Sequence, residues 1–295
     1  MKILLTGANG LLGTQLVKKL IGKGHNLHGV GRGPSRSQTG STNYSYHDVD
    51  ILDGKAIYDL ILSLKPEIIL HAAAMTQVDE CEENKIDCWN TNVTATRFII
   101  DAGKENQSRI IFISTDFVFD GTDGPYTEED EPNPVNYYGS SKWAGEKAVE
   151  ESGLDWAIIR TALVYGSREN GQRANILSWL KTNLQKGERM KMVNDQVRTP
   201  TYVEDVVDGI ILALEKKAKG IFHISGKEML TPYQMAVALA NHLGLDESLI
   251  EKVDGSSFKQ VAVRPLRTVF NIEKARKQLG YEPRSFEEAL RALCG

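Results

Sequence analysis

Of the ten tyrosines in this 295-residue chain, Tyr138 alone has a lysine four residues downstream, at Lys142. Positions i and i+4 share one face of a helix, about 5–6 Å apart at Cβ, so the ammonium can lie beside the phenol. A phenol ordinarily titrates near ~10, and a neighbouring cation favours its ionised form, easing proton exchange at neutral pH. Thr115, in Ser114-Thr115-Asp116 at the end of an apolar run, adds a hydroxyl able to hydrogen-bond a carbonyl oxygen. A Tyr and a Lys so spaced also occur on exposed helices without chemistry, and a Thr at a strand end also caps turns. What separates the readings is the amino-terminal stretch Gly7-Ala8-Asn9-Gly10-Leu11-Leu12-Gly13.

Glycines 7, 10 and 13 fall between an apolar run at 3–6 and a stripe of Leu12, Leu16 and Leu20 at helical spacing. There a backbone without Cβ lets a pyrophosphate approach, and a helix start offers unpaired N–H groups. The spacing is G-x-x-G-x-x-G, whereas the usual dinucleotide fingerprint is G-x-G-x-x-G. With the tyrosine, lysine and threonine, the loop points to hydride transfer with a nicotinamide cofactor. NAD-binding chains of this kind carry an Asp or Glu about 20 residues beyond the loop, on the ribose 2′-OH. From Thr14 to His47 there is no acidic residue, while Arg32 follows the second apolar run and Arg36 lies just beyond. A 2′-phosphate would be paired there, so NADPH is expected, with NADH as the alternative.

The elements that must hold these residues follow from periodicity. Apolar runs at 3–6, 27–30, 68–71, 110–114 and 156–160 read as buried parallel strands. Amphipathic stretches fill the gaps, among them Ile57, Leu60, Ile61 and Leu64 before Pro66. This alternation predicts an α/β fold, a doubly wound parallel sheet of the Rossmann type. Beyond about Arg160 the rhythm loosens into helices near 174–185, 203–215, 232–243 and 286–293, with extended pieces at 190–193 and 221–224. Residues 1–160 are expected to form the dinucleotide-binding domain. Residues 161–295 are expected to form mainly a smaller substrate-binding lobe, some segments returning to the first domain. Residues 31–42, rich in Gly, Ser and basic side chains, read as a loop.

Composition bounds the partners. Thirty-five basic against 39 acidic side chains give −4, which supplies no positive field for nucleic acid. Three cysteines, Cys81, Cys88 and Cys294, lack a metal-ligand spacing and suit reduced thiols in the cytoplasm, so no metal is expected. The amino terminus runs straight into the glycine loop, leaving no apolar core for a signal peptide, and no run is long enough to span a membrane. The acidic run 128–131 reads as a solvated loop, and His71 as a structural or cofactor-adjacent residue.

The segments LLTGANGLLG at 4–13, HAAAMTQVDECE at 71–82, ISTDFVFDGT at 113–122, YYGSSKWAGE at 137–146 and NDQVRTPTYVEDV at 194–206 carry a resemblance. The chain resembles the extended short-chain dehydrogenase/reductases, and among them the dTDP-4-dehydrorhamnose reductase family. The resemblance implies Thr115, Tyr138 and Lys142 as the catalytic set. It implies a cofactor site lined by Gly7, Gly10, Leu11, Leu12, Gly13, Asp50, Ile51, Ala72, Ala73 and Ala74, to which the residue reading adds Arg32. Lys142 would also hold the nicotinamide ribose. Thr76, Asp116 and Asn175 match positions near the sugar. The implied substrate is a nucleotide-linked 4-keto-6-deoxy sugar, reduced at C4, and the implied assembly a homodimer. Two positions depart from the family: its tyrosine after S-T-D is Phe117, which would face the substrate, and its tryptophan before Val164-Tyr165 is Leu163. Both departures leave a different 4-keto sugar open. Same-fold epimerases and dehydratases, and the methionine adenosyltransferase beta subunit, which resembles the same family, remain the alternatives.

Overall fold

The computed structural model describes residues 1–37, 39–169 and 171–294. In its first half, β1 (Lys2–Thr6), β2 (Asn26–Gly31), β3 (Tyr44–Asp48), β4 (Ile68–His71), β5 (Arg109–Thr115) and β6 (Trp156–Thr161) run parallel. Between them lie α1 (Leu11–Gly22), α2 (Gly54–Leu64), α3 (Val78–Glu83), α4 (Lys85–Trp89), α5 (Ala95–Asn106) and α6 (Tyr137–Glu150). Beyond Thr161 follow β7 (Val164–Tyr165), α7 (Ile176–Gln185), β8 (Met190–Val193), β9 (Thr201–Tyr202), α8 (Val203–Glu215) and β10 (Gly220–His223). The chain then forms α9 (Pro232–Leu243), β11 (Ile250–Val253), α10 (Glu273–Leu279) and α11 (Phe286–Cys294).

The seven-stranded sheet has the order β3-β2-β1-β4-β5-β6-β10. It is the doubly wound α/β architecture that the alternation of elements predicts. Strand order reverses between β1 and β4, and in such sheets ligands bind in the crevice outside the carboxyl ends at that point. Successive side chains of a strand face opposite ways, and the core divides accordingly. Ile3 and Leu5 of β1, with Ile111 and Ile159, join α1 and α8 through Leu16, Val17, Val206 and Ile210. Leu4, Ile110, Phe112 and Ile158 face α2 and α5 instead, against Ile57, Ile61 and Ile99.

β3 lies outside the expected strands, and β10, expected as an extended piece at 221–224, joins the main sheet. β3, Tyr-Ser-Tyr-His-Asp, has no aliphatic residue and is half exposed at the sheet edge, so it shows no apolar run. β10 pairs with β6 in register Gly220↔Ala157 to His223↔Arg160, so this late segment belongs to the main sheet. A separate core gathers Leu177, Leu180 and Leu184 of α7, Met190 and Met192 of β8, Met235 and Leu239 of α9, and Phe286 and Leu290 of α11. Helix α9 illustrates why its bounds are readable. Thr231 and Gln234 form a capping box, Pro232 holds the first helical position, and Gly244 ends the helix left-handed at φ 64°.

Candidate active site

The glycine loop leaves α1 with a bare amino terminus. Its N-cap, Gly10, gives no side-chain hydrogen bond, and the first turn holds no acid, so its N–H groups are free for an anion. The turn admits only glycine where it is tightest. Gly7 has φ +73°, and a Cβ on Gly13 would stand 2.1 Å from the Gly7 carbonyl oxygen. Leu11 and Leu12 flank the cradle half-buried. Opposite, Gly7 packs on Ala72 and Ala73, in the half-buried segment Ala72–Ala74 that follows β4. A dinucleotide pyrophosphate fits this cradle.

Beyond β2 the loop at 31–37 is tied down. Asn9 Nδ2 donates to the Arg32 and Pro34 carbonyls and to Tyr46 Oη, while Asn9 Oδ1 accepts from Arg36 N at 2.8 Å. Gln38, within the stretch read as a loop, lies outside the described residues. Arg32 is 79% exposed and faces Asp50 at 3.8 Å. Asp50 also accepts from Leu52 N, and Ile51 is buried. Asp48 Oδ1 accepts from Gly33 N at 2.8 Å, so an acid reaches the loop from β3, one residue past the window that the sequence leaves free of acids.

At the carboxyl edge of β5, Thr115, Asp116 and Phe117 face the start of α6. Asn136 caps that helix through Oδ1, accepting from Gly139 N at 2.9 Å. A Cβ at Gly139 would lie 2.0 Å from the Phe117 carbonyl oxygen, so only glycine lets α6 come this near to the Thr115 loop. Tyr138 and Lys142 are thereby buried at the edge, exposed by 9% and 2%. Thr115 Oγ1 donates to Asp116 Oδ1 at 3.2 Å and accepts from Phe117 N. Phe117 meets Tyr138 edge-on, with centroids 6.1 Å apart. Lys142 Nζ sits 4.0 Å over the Phe112 ring centroid.

The electrostatics correct one expectation. Burial pushes the Tyr138 phenol well above the usual tyrosine range, with the Asp116 charge adding to it and only the Thr115 hydroxyl opposing. Burial also pushes Lys142 down to about 7, against the Glu146 and Cys88 charges. The apolar pocket favours the neutral form of both groups, so this pocket holds Tyr138 as a phenol ready to donate. Glu146, one further turn along α6, is taken by a buried bidentate bond with Arg160, at 3.0 and 2.7 Å.

Asp116 and Asn175 both have their side chains engaged in the protein. Asp116 accepts from Thr268 Oγ1 and faces Arg198 Nε at 3.6 Å. Asn175 caps α7 in a capping box with Ser178 and donates to the Gly166 carbonyl. Thr76 is exposed ahead of α3, and Leu163 sits left-handed at φ 40°, a strained conformation for a branched residue.

Several contributors escape a reading of motifs. Asn92 lies in a π-helical turn, Asn90–Thr94, a departure that often marks functional positions. Its carboxamide accepts from Met75 N and donates to the Met75 carbonyl and Ser141 Oγ. Arg198 donates to the carbonyls of Pro265 and Leu266, and Asn136 Nδ2 to that of Val263, so the segment 263–268 is strapped across the edge. Gln172 Nε2 reaches the carbonyls of Asn9 and Gly10. Arg264 pairs with Asp79. Nothing local announces these contacts, which join residues 17 to 185 positions apart. Cys81 and Cys88 fall on α3 and α4, separated where Asn84 breaks the helix at φ −120° and ψ 63°, and both thiols pack against Tyr138. Within the acidic run, Glu128 is half-buried and accepts from His223 N at 2.8 Å, capping β10 rather than solvating a loop. Among the described residues no cluster of three or more candidate metal ligands occurs, and no helix is long and apolar enough to cross a membrane.

A phosphate cradle at one side of the switch point and a Thr–Tyr–Lys set at the other place this chain among the NAD(P)-dependent oxidoreductases, in the short-chain dehydrogenase/reductase class. Within that class the family is specific. The family model described as RmlD substrate binding domain matches residues 1–294, and the chain belongs to that family. A probable low-salt glycan biosynthesis reductase, Agl14, of Haloferax volcanii is 32% identical over 98% of this chain and 96% of its own. The bovine methionine adenosyltransferase 2 subunit beta is 34% identical over 86% of this chain and 76% of its own. The crystal structure of dTDP-4-dehydrorhamnose reductase from Bacillus anthracis in complex with NADP superposes with a TM-score of 0.88 at 27% identity. It covers 100% of this chain and 99% of that one.

Proposed function

We propose that the protein reduces the C4 ketone of a nucleotide-linked 4-keto-6-deoxy sugar with NADPH, with dTDP-4-dehydrorhamnose converted to dTDP-rhamnose as the leading substrate. The observation that carries this reading is the burial of Tyr138 and Lys142 beside Thr115, on the crevice that the bare amino terminus of α1 also faces. Gly7, Gly10, Leu11, Leu12 and Gly13 would hold the pyrophosphate, Asp50 and Ile51 the adenosine end, Ala72–Ala74 the wall beside it, and Arg32 the 2′-phosphate. Bound there, the reduced nicotinamide supplies the hydride for the carbonyl carbon.

The protein's own part is proton delivery and charge stabilisation. Tyr138, kept as a phenol by burial, gives its proton to the carbonyl oxygen as negative charge develops there. Thr115 orients the phenol and the carbonyl. Lys142 would hold the nicotinamide ribose and stabilise the phenolate left behind. Thr76, Asp116, Phe117 and Asn175 stand around the sugar, with Asp116 and Asn175 acting through the backbone and side chains they fix.

The test is NADPH oxidation with dTDP-4-dehydrorhamnose generated in situ, beside NADH and a UDP-linked 4-keto sugar. Turnover with the dTDP sugar supports the reading. NADPH binding without turnover on either sugar overturns the substrate. It would favour the second reading, a cofactor-binding regulatory subunit, which the similarity to the methionine adenosyltransferase subunit supports. A homodimer in the cytoplasm completes the proposal. Sedimentation showing only a 32.7 kDa species at micromolar concentration would dispose of the dimer.

A further inference from the structure

Three side chains absent from the proposed chemistry, Thr6, His71 and Thr96, form one directed hydrogen-bond chain beneath the site. Thr96 Oγ1 donates to the Asn92 carbonyl at 2.8 Å, and a carbonyl has no proton to return. Thr96 Oγ1 must then accept from His71 Nε2, 2.9 Å away, which places the imidazole proton on Nε2. Nδ1 is left with a lone pair and accepts from Thr6 Oγ1 at 2.7 Å. Thr6 Oγ1 in turn accepts from Ala73 N at 3.2 Å. Every donor has an acceptor in one direction only. The chain runs from Ala73 N–H through Thr6, His71 and Thr96 to the Asn92 carbonyl. Thr6, His71, Asn92 and Thr96 are all at most 1% exposed, so water cannot complete a broken link.

The chain closes on itself through Asn92, whose carboxamide grips both the N–H and the carbonyl of Met75. Both ends of the segment 73–75 are therefore fixed: Ala73 from below by Thr6, and Met75 from the side by the π-helical turn. This is the wall packed against Gly7 of the phosphate loop.

We infer that His71 is a positioning residue, held as the neutral Nε2–H tautomer, that sets the segment 73–75 against the cofactor. The inference that it serves cofactor binding rests on the nicotinamide reading above. Its surroundings agree. The charged group facing it is Lys142 on α6, and the Phe112 ring on β5 lies tilted beside it with centroids 5.5 Å apart. Burial first and the Lys142 charge second hold its pKa near 3. An imidazolium would turn an N–H toward Thr6 Oγ1 and leave the Thr6 proton without its acceptor.

Two measurements test this. Long-range proton–nitrogen NMR of the ligand-free protein should show His71 with Nε2 protonated, Nδ1 bare, and no titration between pH 5 and 8. An Nδ1–H tautomer, or a titration within that range, overturns the chain whatever the enzyme does. Thr96→Val removes the acceptor for Nε2–H and should weaken NADP⁺ binding about tenfold, the equivalent of one lost buried hydrogen bond. Thr96→Ser should restore it, with kcat changed less than the KM for NADPH. Equal NADP⁺ affinity in a folded Thr96→Val protein would reduce His71 to a part of the core. Failure of the wild-type protein to bind NADP⁺ would sink the nicotinamide reading instead, leaving the tautomer result to stand alone.

Discussion

Arg198 Nε lies 3.6 Å from Asp116 Oδ2, with both side chains about 5% exposed or less. This pair joins the strap at 263–268 to the residue next to Thr115, since the same guanidinium bonds the Pro265 and Leu266 carbonyls and packs over Phe117 at 5.3 Å. Burial raises the Asp116 pKa above the ordinary carboxylate value, and the Arg198 charge opposes that rise without cancelling it. Removing one partner strands a buried charge, whereas removing both does not. Arg198→Gln is expected to lower kcat/KM more than the double variant Asp116→Asn/Arg198→Gln does relative to Asp116→Asn. The coupling should be about 0.5–3 kcal/mol in a double-mutant cycle. Strict additivity would show that the pair does not communicate with the site.

A buried phenol makes a pH signature. In reduction, Tyr138 must carry its proton, and burial raises its pKa above the ordinary value of 10.0. Because kcat/KM reports the free enzyme, the alkaline limb due to Tyr138 should fall above pH 10, apart from the limb near pH 7 that deprotonation of Lys142 would give. Tyr138→Phe should abolish turnover while leaving NADPH affinity nearly intact. An active Tyr138→Phe protein would remove the phenol from the donor role.

How far the sequence reveals this site depends on the range of each interaction. The glycine loop, the strand carrying Thr115 and the Tyr138–Lys142 helix are local: spacing and periodicity alone specify them. β3 shows no aliphatic run, because Tyr44, Tyr46 and His47 make up an edge strand, whereas the extended piece at 221–224 is legible but its place beside β6 depends on a crossover through α8. The environment of the Tyr–Lys pair was misread for a related reason. Helical spacing places Lys142 near Tyr138, but the pKa of each follows from burial under segments distant in sequence, which moves both toward their neutral forms. Arg198 and Thr268, the partners that hold Asp116, lie 82 and 152 positions away, beyond the reach of any local motif.

Arg32 offers a direct reading of cofactor preference. At 79% exposure, with a long 3.8 Å contact to Asp50 as its ion pair among the described residues, its guanidinium is available to a phosphate. Arg32→Ala is expected to raise the KM for NADPH about tenfold while changing that for NADH little, a loss of the size of one charge-assisted hydrogen bond. Comparison of the two KM values checks it. An unchanged NADPH-to-NADH ratio would move recognition of the adenosine ribose to Asp48 and the loop that it bonds.

Lys142 should cost the fold stability in return for its place in the site. Its pKa falls from 10.5 in the open chain to about 7 in the protein, because the buried pocket disfavours the ammonium. A lysine whose folded pKa is depressed binds fewer protons in the folded than in the unfolded chain between those values. Stability therefore rises with pH across that window. The penalty is fully present below about pH 7 and fades toward pH 10.5. Lys142→Met keeps the aliphatic stem over Phe112 and removes the charge, so it is expected to abolish turnover yet raise the urea midpoint. The gain should be larger at pH 6 than at pH 9.5. A variant that loses stability, or gains equally at both pH values, would mean that the ammonium is better solvated or better paired than its burial implies.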